Sequence, residues 1–209
     1  MTTAAKGDLH VGSDEARRAV PMRADERRTA IATATLPLLF KHGTSVTTRQ
    51  IADAANVAEG TIFRVFPDKE AVIQAAIDLA FNPLPTEQAL AKIDRALPTQ
   101  QQLTIAVATI QRRMGDLSRL ISTVGSATAF SRERLMPQSP QLVSMLDSVK
   151  DQLRYSPERA ARLLQALTLS ASHPALFGSR PMPASEIVAL LLDGIRVQTS
   201  SGRKGVSRC

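Results

Sequence analysis

The chain has 209 residues, of which 44% are apolar and 22% charged, with a formal net charge of +7, values that suit an ordinary globular protein with room for one sizeable core. Its one cysteine is the terminal Cys209, and His10, His42 and His173 are scattered, which excludes a disulfide within the chain and a metal site of the usual ligand spacing. No apolar run approaches the roughly 18 residues of a membrane span, and residues 1–21 lack the apolar stretch of a signal peptide, so no membrane partner and a cytoplasmic location are expected.

Taken in chain order, residues 1–21 are rich in small and charged side chains and read as a flexible arm. A first helix is expected from Met22 to His42, with Ile31, Leu38 and Leu39 on one face, a kink at Pro37 and Gly43 as its stop. Two short helices, Thr48–Ala55 and Glu59–Phe66, are separated by a tight turn. Pro67-Asp68 then opens a helix capped by Asp68 that runs to Phe81, where Asn82-Pro83-Leu84-Pro85 breaks it. Longer helical patterns follow at 86–96, 99–114, 116–130, 139–153, 157–172 and 184–199, punctuated by prolines, and residues 201–209 form a flexible tail. Ala and Leu are abundant, aromatics make up only 3%, and no period-two pattern is present, so the fold class is all-α.

The stretch Thr47-Thr-Arg-Gln-Ile-Ala-Asp-Ala-Ala-Asn-Val-Ala-Glu-Gly-Thr-Ile-Phe-Arg-Val-Phe66 meets the demands of a helix-turn-helix. Two helices that cross steeply need a small residue where the backbones approach, a residue tolerant of positive φ in the turn, and apolar residues to lock the angle. Ala52 supplies the first, Asn56 the second, and Ile51, Val57, Ile62 and Phe66 the third, with Thr47 or Thr48 as the first cap. Charge adds little to this reading. Residues 1–70 carry ten Lys/Arg against nine Asp/Glu, whereas Arg203, Lys204 and Arg208 in the tail contribute +3 by themselves. The loose cluster Arg17, Arg18, Arg23, Arg27 and Arg28 reads either as a minor-groove arm or, slightly favoured, as a solvated arm with Asp14, Glu15, Asp25 and Glu26 interleaved.

Phe40-Lys41-His42-Gly43, Thr47-Thr48-Arg49-Gln50-Ile51-Ala52, Val57 through Phe66 and Asp68-Lys69-Glu70 together resemble the tetracycline-repressor (TetR) family of bacterial regulators. The resemblance covers about 50 residues and rests on the order and spacing of some dozen positions. It implies that Thr61, Phe63, Arg64 and Val65 lie on the exposed face of a recognition helix in the major groove of double-stranded DNA. Thr48 and Arg49 would stand at the start of the preceding helix, and Lys69 would meet a phosphate at the start of the next. Two positions depart from the family pattern. Phe63 replaces the usual Tyr and keeps only its apolar contact, and Glu59 stands where a basic or neutral polar residue is more usual. A carboxylate there either selects cytosine or caps its own helix, and capping is favoured.

The same resemblance divides the chain into a DNA-binding unit at 22–70, of three helices, and a larger helical unit at 71–200 that pairs two chains and encloses a small apolar effector. Helices 157–172 and 184–199 fit the pairing role, since Leu163, Leu164, Leu167 and Leu169, with Ile187, Val188, Leu190, Leu191, Leu192 and Ile195, exceed one buried stripe, the alternative being helices central within a single chain. Met114, Phe130, Met136 and Met145 are candidates to line a pocket, though each is more simply core. The implied function is sequence-specific transcription regulation by a homodimer on a pseudo-palindromic operator, as a repressor released by its effector. The alternative is a helical dimeric protein-interaction module without DNA binding. No Gly-rich phosphate loop, paired carboxylates or Ser/His/Asp arrangement favours an enzyme, and no cofactor or metal is expected.

Overall fold

A computed structural model of the chain describes residues 23–125, 134, 136–173, 178 and 180–195. Among these residues all regular elements are helical: α1 (Ala24–His42), α2 (Thr48–Ala55), α3 (Glu59–Phe63), α4 (Lys69–Phe81), α5 (Leu84–Ala91), α6 (Thr99–Val124), α7 (Pro140–Asp147), α8 (Pro157–Ser172) and α9 (Ala184–Ile195), with short 3-10 turns at Gly43–Ser45 and Lys150–Gln152. The all-α expectation holds. The arm at 1–21, the tail at 201–209 and Phe130 lie outside the described residues.

Local chemistry explains most of the boundaries. Asp68 accepts from the Ala71 amide at 2.7 Å and starts α4, while the Ser139 and Ser156 hydroxyls accept from Leu142 and Arg159 at the starts of α7 and α8. Pro140 and Pro157 open their helices, where a missing N–H costs nothing.

Outside the helix-turn-helix the structure corrects four boundaries. The patterns expected at 99–114 and 116–130 are one continuous helix, because Met114, Leu117, Leu120 and Val124 keep their helical spacing across Gly115 and are all buried. One interior glycine costs about 1 kcal/mol, less than the 1.5–3 kcal/mol gained by burying each such side chain. Leu84-Pro85 begins α5 instead of separating it from α4, since a proline in the first turn needs no donor, and the Leu84 amide finds the Asn82 side chain at 3.0 Å. That helix stops at Ala91, five residues earlier than expected, in a turn where Asp94 accepts from the Ala96 amide at 2.9 Å. The pattern at 139–153 ends at Asp147 and continues only as a 3-10 turn.

Helix α6 is the centre of the molecule and packs against α1, α5, α7, α8 and α9. Helix α1 lies against α4, α2 and α6, so one helix is shared between the helix-turn-helix and the larger bundle. It buries Ile31, Ala32, Thr35 and Leu39, and runs unbroken through Pro37. The buried Thr35 hydroxyl is satisfied by donating to the Ile31 carbonyl at 2.8 Å. In α8 and α9, the apolar excess expected to face a partner is mostly absorbed within the chain. Leu164, Ile187, Val188, Leu191, Leu192 and Ile195 are buried, and Leu163 and Leu190 remain exposed at 38% and 52%.

Where α1 ends, Gly43 takes φ +56°, and a Cβ there would lie 2.5 Å from the carbonyl oxygen of Thr123 near the end of α6. Only glycine permits this approach between the two helix ends. Gly43→Ala therefore combines a left-handed backbone penalty with a backbone clash, and is expected to lower stability by more than about 1 kcal/mol in urea unfolding. A loss within a few tenths of that of the parent would contradict the close approach.

Candidate nucleic-acid interface

The site begins at a reciprocal cap. The Gln50 amide donates to the Thr47 hydroxyl at 3.2 Å, and the Thr47 amide donates to Gln50 Oε1 at 2.9 Å, fixing the start of α2. The helix ends at Asn56, with φ 53° and ψ 47°, the one non-glycine residue at positive φ among the described residues. The Val57 amide reaches the Ala52 carbonyl at 3.0 Å and the Asn56 amide that of Asp53 at 3.2 Å, the paired bonds of a Schellman ending. Ile51, Ala52, Ile62 and Phe66 are buried behind the turn, with Val57 packed against them, so the expected locking residues are the ones that lock it.

Helix α3 is shorter than expected, stopping at Phe63 with Arg64 as its C-cap. The amides of Val65 and Phe66 both turn back to the Ile62 carbonyl, at 2.9 and 2.8 Å, which tightens the final turn. Val65 thus leaves the helix and is half-buried against the core, so the structure corrects its expected place on an exposed helix face. Phe63 is 51% exposed and Arg64 is exposed beside it, while Thr61 is half-buried.

Glu59 is also corrected. The residue before α3 is Ala58, which offers no side-chain cap, and the Glu59 carboxylate instead accepts a short hydrogen bond from the Thr48 hydroxyl. That bond ties the first residue of α2 to the first residue of α3. A carboxylate in the first turn also suits the positive end of the helix. Thr48 is therefore half-buried and engaged, and exposed Arg49 follows it. The Lys69 ammonium, in the first turn of α4, donates to the Thr44 carbonyl at 3.3 Å and so stands beside the loop that enters α2.

Two residues escaped the sequence reading. Arg28, favoured there as part of a solvated arm, stacks its guanidinium 4.3 Å from the centre of the Phe66 ring and donates to the Val65 carbonyl at 3.2 Å. It braces α1 against the end of α3, across a separation of 37 positions that no local pattern reveals. Gly60 lies exposed in α3, and a Cβ there would meet nothing within 4 Å. Among the described residues nothing requires a glycine at that position.

Residues 31–76 match the sequence profile described as bacterial regulatory proteins, tetR family. Over residues 31–76, then, the chain resembles that family. A curated relative, the HTH-type transcriptional repressor KstR of Mycobacterium tuberculosis, is 27% identical over 150 residues. That alignment takes in 71% of this chain and 64% of the relative, so it spans just under two thirds of the relative's length. Among solved structures, a TetR-family regulator from Vibrio parahaemolyticus matches with a TM-score of 0.57 at 18% identity, covering 82% of this chain and all of that one. The TetR-family regulator HI0893 from Haemophilus influenzae matches with a TM-score of 0.55 at 17% identity, over 83% of this chain and 98% of its own. At such identities these structures establish a shared all-α fold.

Gly60→Ala separates folding from binding. Alanine is the better helix former and has free space, so stability in urea is expected to rise by up to about 1 kcal/mol. Binding to duplex DNA is expected to weaken, because the added methyl stands on the exposed side of α3, where the sequence resemblance expects the recognition helix. Tighter DNA binding by the alanine variant would remove Gly60 from the interface.

Proposed function

We propose that this chain is a TetR-family, sequence-specific DNA-binding regulator of transcription, working in the cytoplasm as a homodimer and acting as a repressor released by a small-molecule effector. The observation that carries the reading is the exposed Phe63–Arg64 pair at the end of α3, standing between the buried Ile62 and Phe66. A bulky apolar ring held in water gains nothing for the fold, yet beside a guanidinium it suits the thymine methyl and guanine acceptors of a major groove. No helix among the described residues is long and apolar enough to cross a membrane. The name of the curated relative supports repression.

In this reading residues 22–70 form the DNA-binding unit, and residues 71–200 the effector-binding and dimerisation unit. Arg64, Phe63 and Thr61 meet base edges, Thr48 and Arg49 hold the start of α2 near the backbone, and Val65 supports the turn from behind. Lys69 meets a phosphate, exchanging its Thr44 carbonyl for a stronger, charged acceptor. One short recognition helix reads too few base pairs, so two-fold pairing on a pseudo-palindrome supplies the specificity. Leu163 and Leu190, exposed on the contacting helices α8 and α9, are the side chains available to hold the pair.

Arg64→Ala is expected to cost about 1–3 kcal/mol on the best operator and to relax preference at one position per half-site. Lys69→Ala is expected to weaken all duplexes about equally and to reduce the salt slope by roughly one phosphate contact per subunit. Titrations of the operator and a scrambled duplex at several salt concentrations distinguish the two. If Arg64→Ala weakened both duplexes equally while Lys69→Ala altered base preference, the recognition helix would be misassigned.

The double variant Leu163→Glu, Leu190→Glu is expected to be monomeric by light scattering at micromolar concentration, with its helical content retained. An unchanged dimer would place the pairing surface elsewhere.

A further inference from the structure

The interior space lined by Met114 and Met136 holds only about 20 Å³, enough for a water and nothing larger, and Met145 is core. A much larger groove, of about 450 Å³, lies where α1 and α4 meet α5 and α6. Its floor is apolar, from Leu36 and Phe40 of α1, Leu79 of α4, and Leu117 and Leu120 of α6. Its edge is cationic. Arg112, Arg113 and Arg119 stand there against one carboxylate, Asp116, which is already held by Arg119 at 2.6 Å.

Arg113 is the unusual member. It is half-buried and donates to the Phe81 carbonyl at 2.9 Å, and among the described residues most of its five N–H donors have no partner. Burial pushes the guanidinium below its ordinary pKa, with Glu87 on the far side pulling the other way from beyond ion-pair distance. A partly desolvated cation that faces a groove, with spare planar donors, is suited to a carboxylate, which a guanidinium binds through two parallel hydrogen bonds.

We propose that this groove binds an amphipathic monocarboxylate of medium chain length, its carboxylate on Arg113 and Arg112 and its hydrocarbon body on the Leu36, Phe40 and Leu79 floor. The proposed ligand adds a charged head to the small apolar effector that the resemblance implies. Two walls of the groove belong to α1, which packs against α2, and to α4, which follows α3 in the chain, and a third to α6, whose end touches Gly43. An occupant that separates these walls changes the placement of α3, and so lowers DNA affinity by the factor by which DNA lowers its own. This last step rests on the proposed DNA-binding function; the binding of the carboxylate does not.

The test is calorimetric titration of the full-length protein with octanoate, decanoate and dodecanoate below their micellar concentrations, with 1-decanol as the uncharged counterpart. One carboxylate is expected to bind with one-to-one stoichiometry per chain and at least tenfold more tightly than the alcohol. Arg113→Gln is expected to reduce that affinity at least tenfold. Ala89→Trp, which fills the groove from the exposed surface of α5 and leaves Arg113 in place, is expected to abolish binding with helical content unchanged. Absence of binding by all three carboxylates, equal binding of the alcohol, or unaltered binding by both variants would overturn the proposal. Duplex titration of the ligand-free protein reports separately on the DNA reading: carboxylate binding without duplex binding would leave the groove standing and remove the regulator.

Discussion

The left-handed residue at Asn56 is the constraint on which the candidate interface depends. That conformation costs most L-residues about 1–2 kcal/mol, and asparagine less than most. The cost is met because the turn lets Ile51, Ile62 and Phe66 bury fully on one another, at roughly 1.5–3 kcal/mol each. The paired amide bonds to Ala52 and Asp53 then leave no freedom in the direction of α3. With Ile62 and Phe66 committed inward, Phe63 and Arg64 are forced outward, whatever else the chain does. The Thr48–Glu59 bond and the Arg28–Phe66 stack hold the same short helix at its two ends. A helix running only from Glu59 to Phe63 has too few internal hydrogen bonds to persist alone, so these tertiary supports are what make it a presentable surface.

The second level of organisation is the sharing of helices. Helix α1 closes the back of the helix-turn-helix and also lies on α6, the longest helix and the one that most other elements pack against. The contact of Gly43 with Thr123 is backbone on backbone, which transmits displacement without the slack of side-chain rotation. A change in the spacing between α1, α4 and α6 is therefore also a change in the placement of the surface that carries Phe63 and Arg64.

What the sequence made legible follows from the range of each interaction. The caps at Thr47 and Asp68, the turn at Asn56 and the stop at Gly43 are set by residues within four positions of one another, and all were found where the pattern put them. Pattern and structure part where burial overrules a local breaker, as at Gly115, and where a proline that looks like an end stands in a first turn and begins a helix, as at Pro85. Arg28 could not be read, because a cation in a mixed-charge segment looks the same whether it meets water or Phe66. The role of Glu59 was misjudged for a related reason: its partner is Thr48, eleven positions back, whereas capping is a local habit. Val65 was misplaced because three further residues of ideal helix were assumed beyond Phe63, while the chain tightens there. The surplus of leucine and isoleucine in the last two helices was visible, but composition alone did not divide it between the chain's own core and an outer face.

The most direct test of the central claim is selection of duplexes from a random pool by the purified protein, sequenced after each round. The account predicts enrichment of a single inverted repeat, with half-sites about one helical turn apart, bound by two protomers. Recovery of sequences no different from the starting pool, or of a motif without two-fold symmetry, would contradict it.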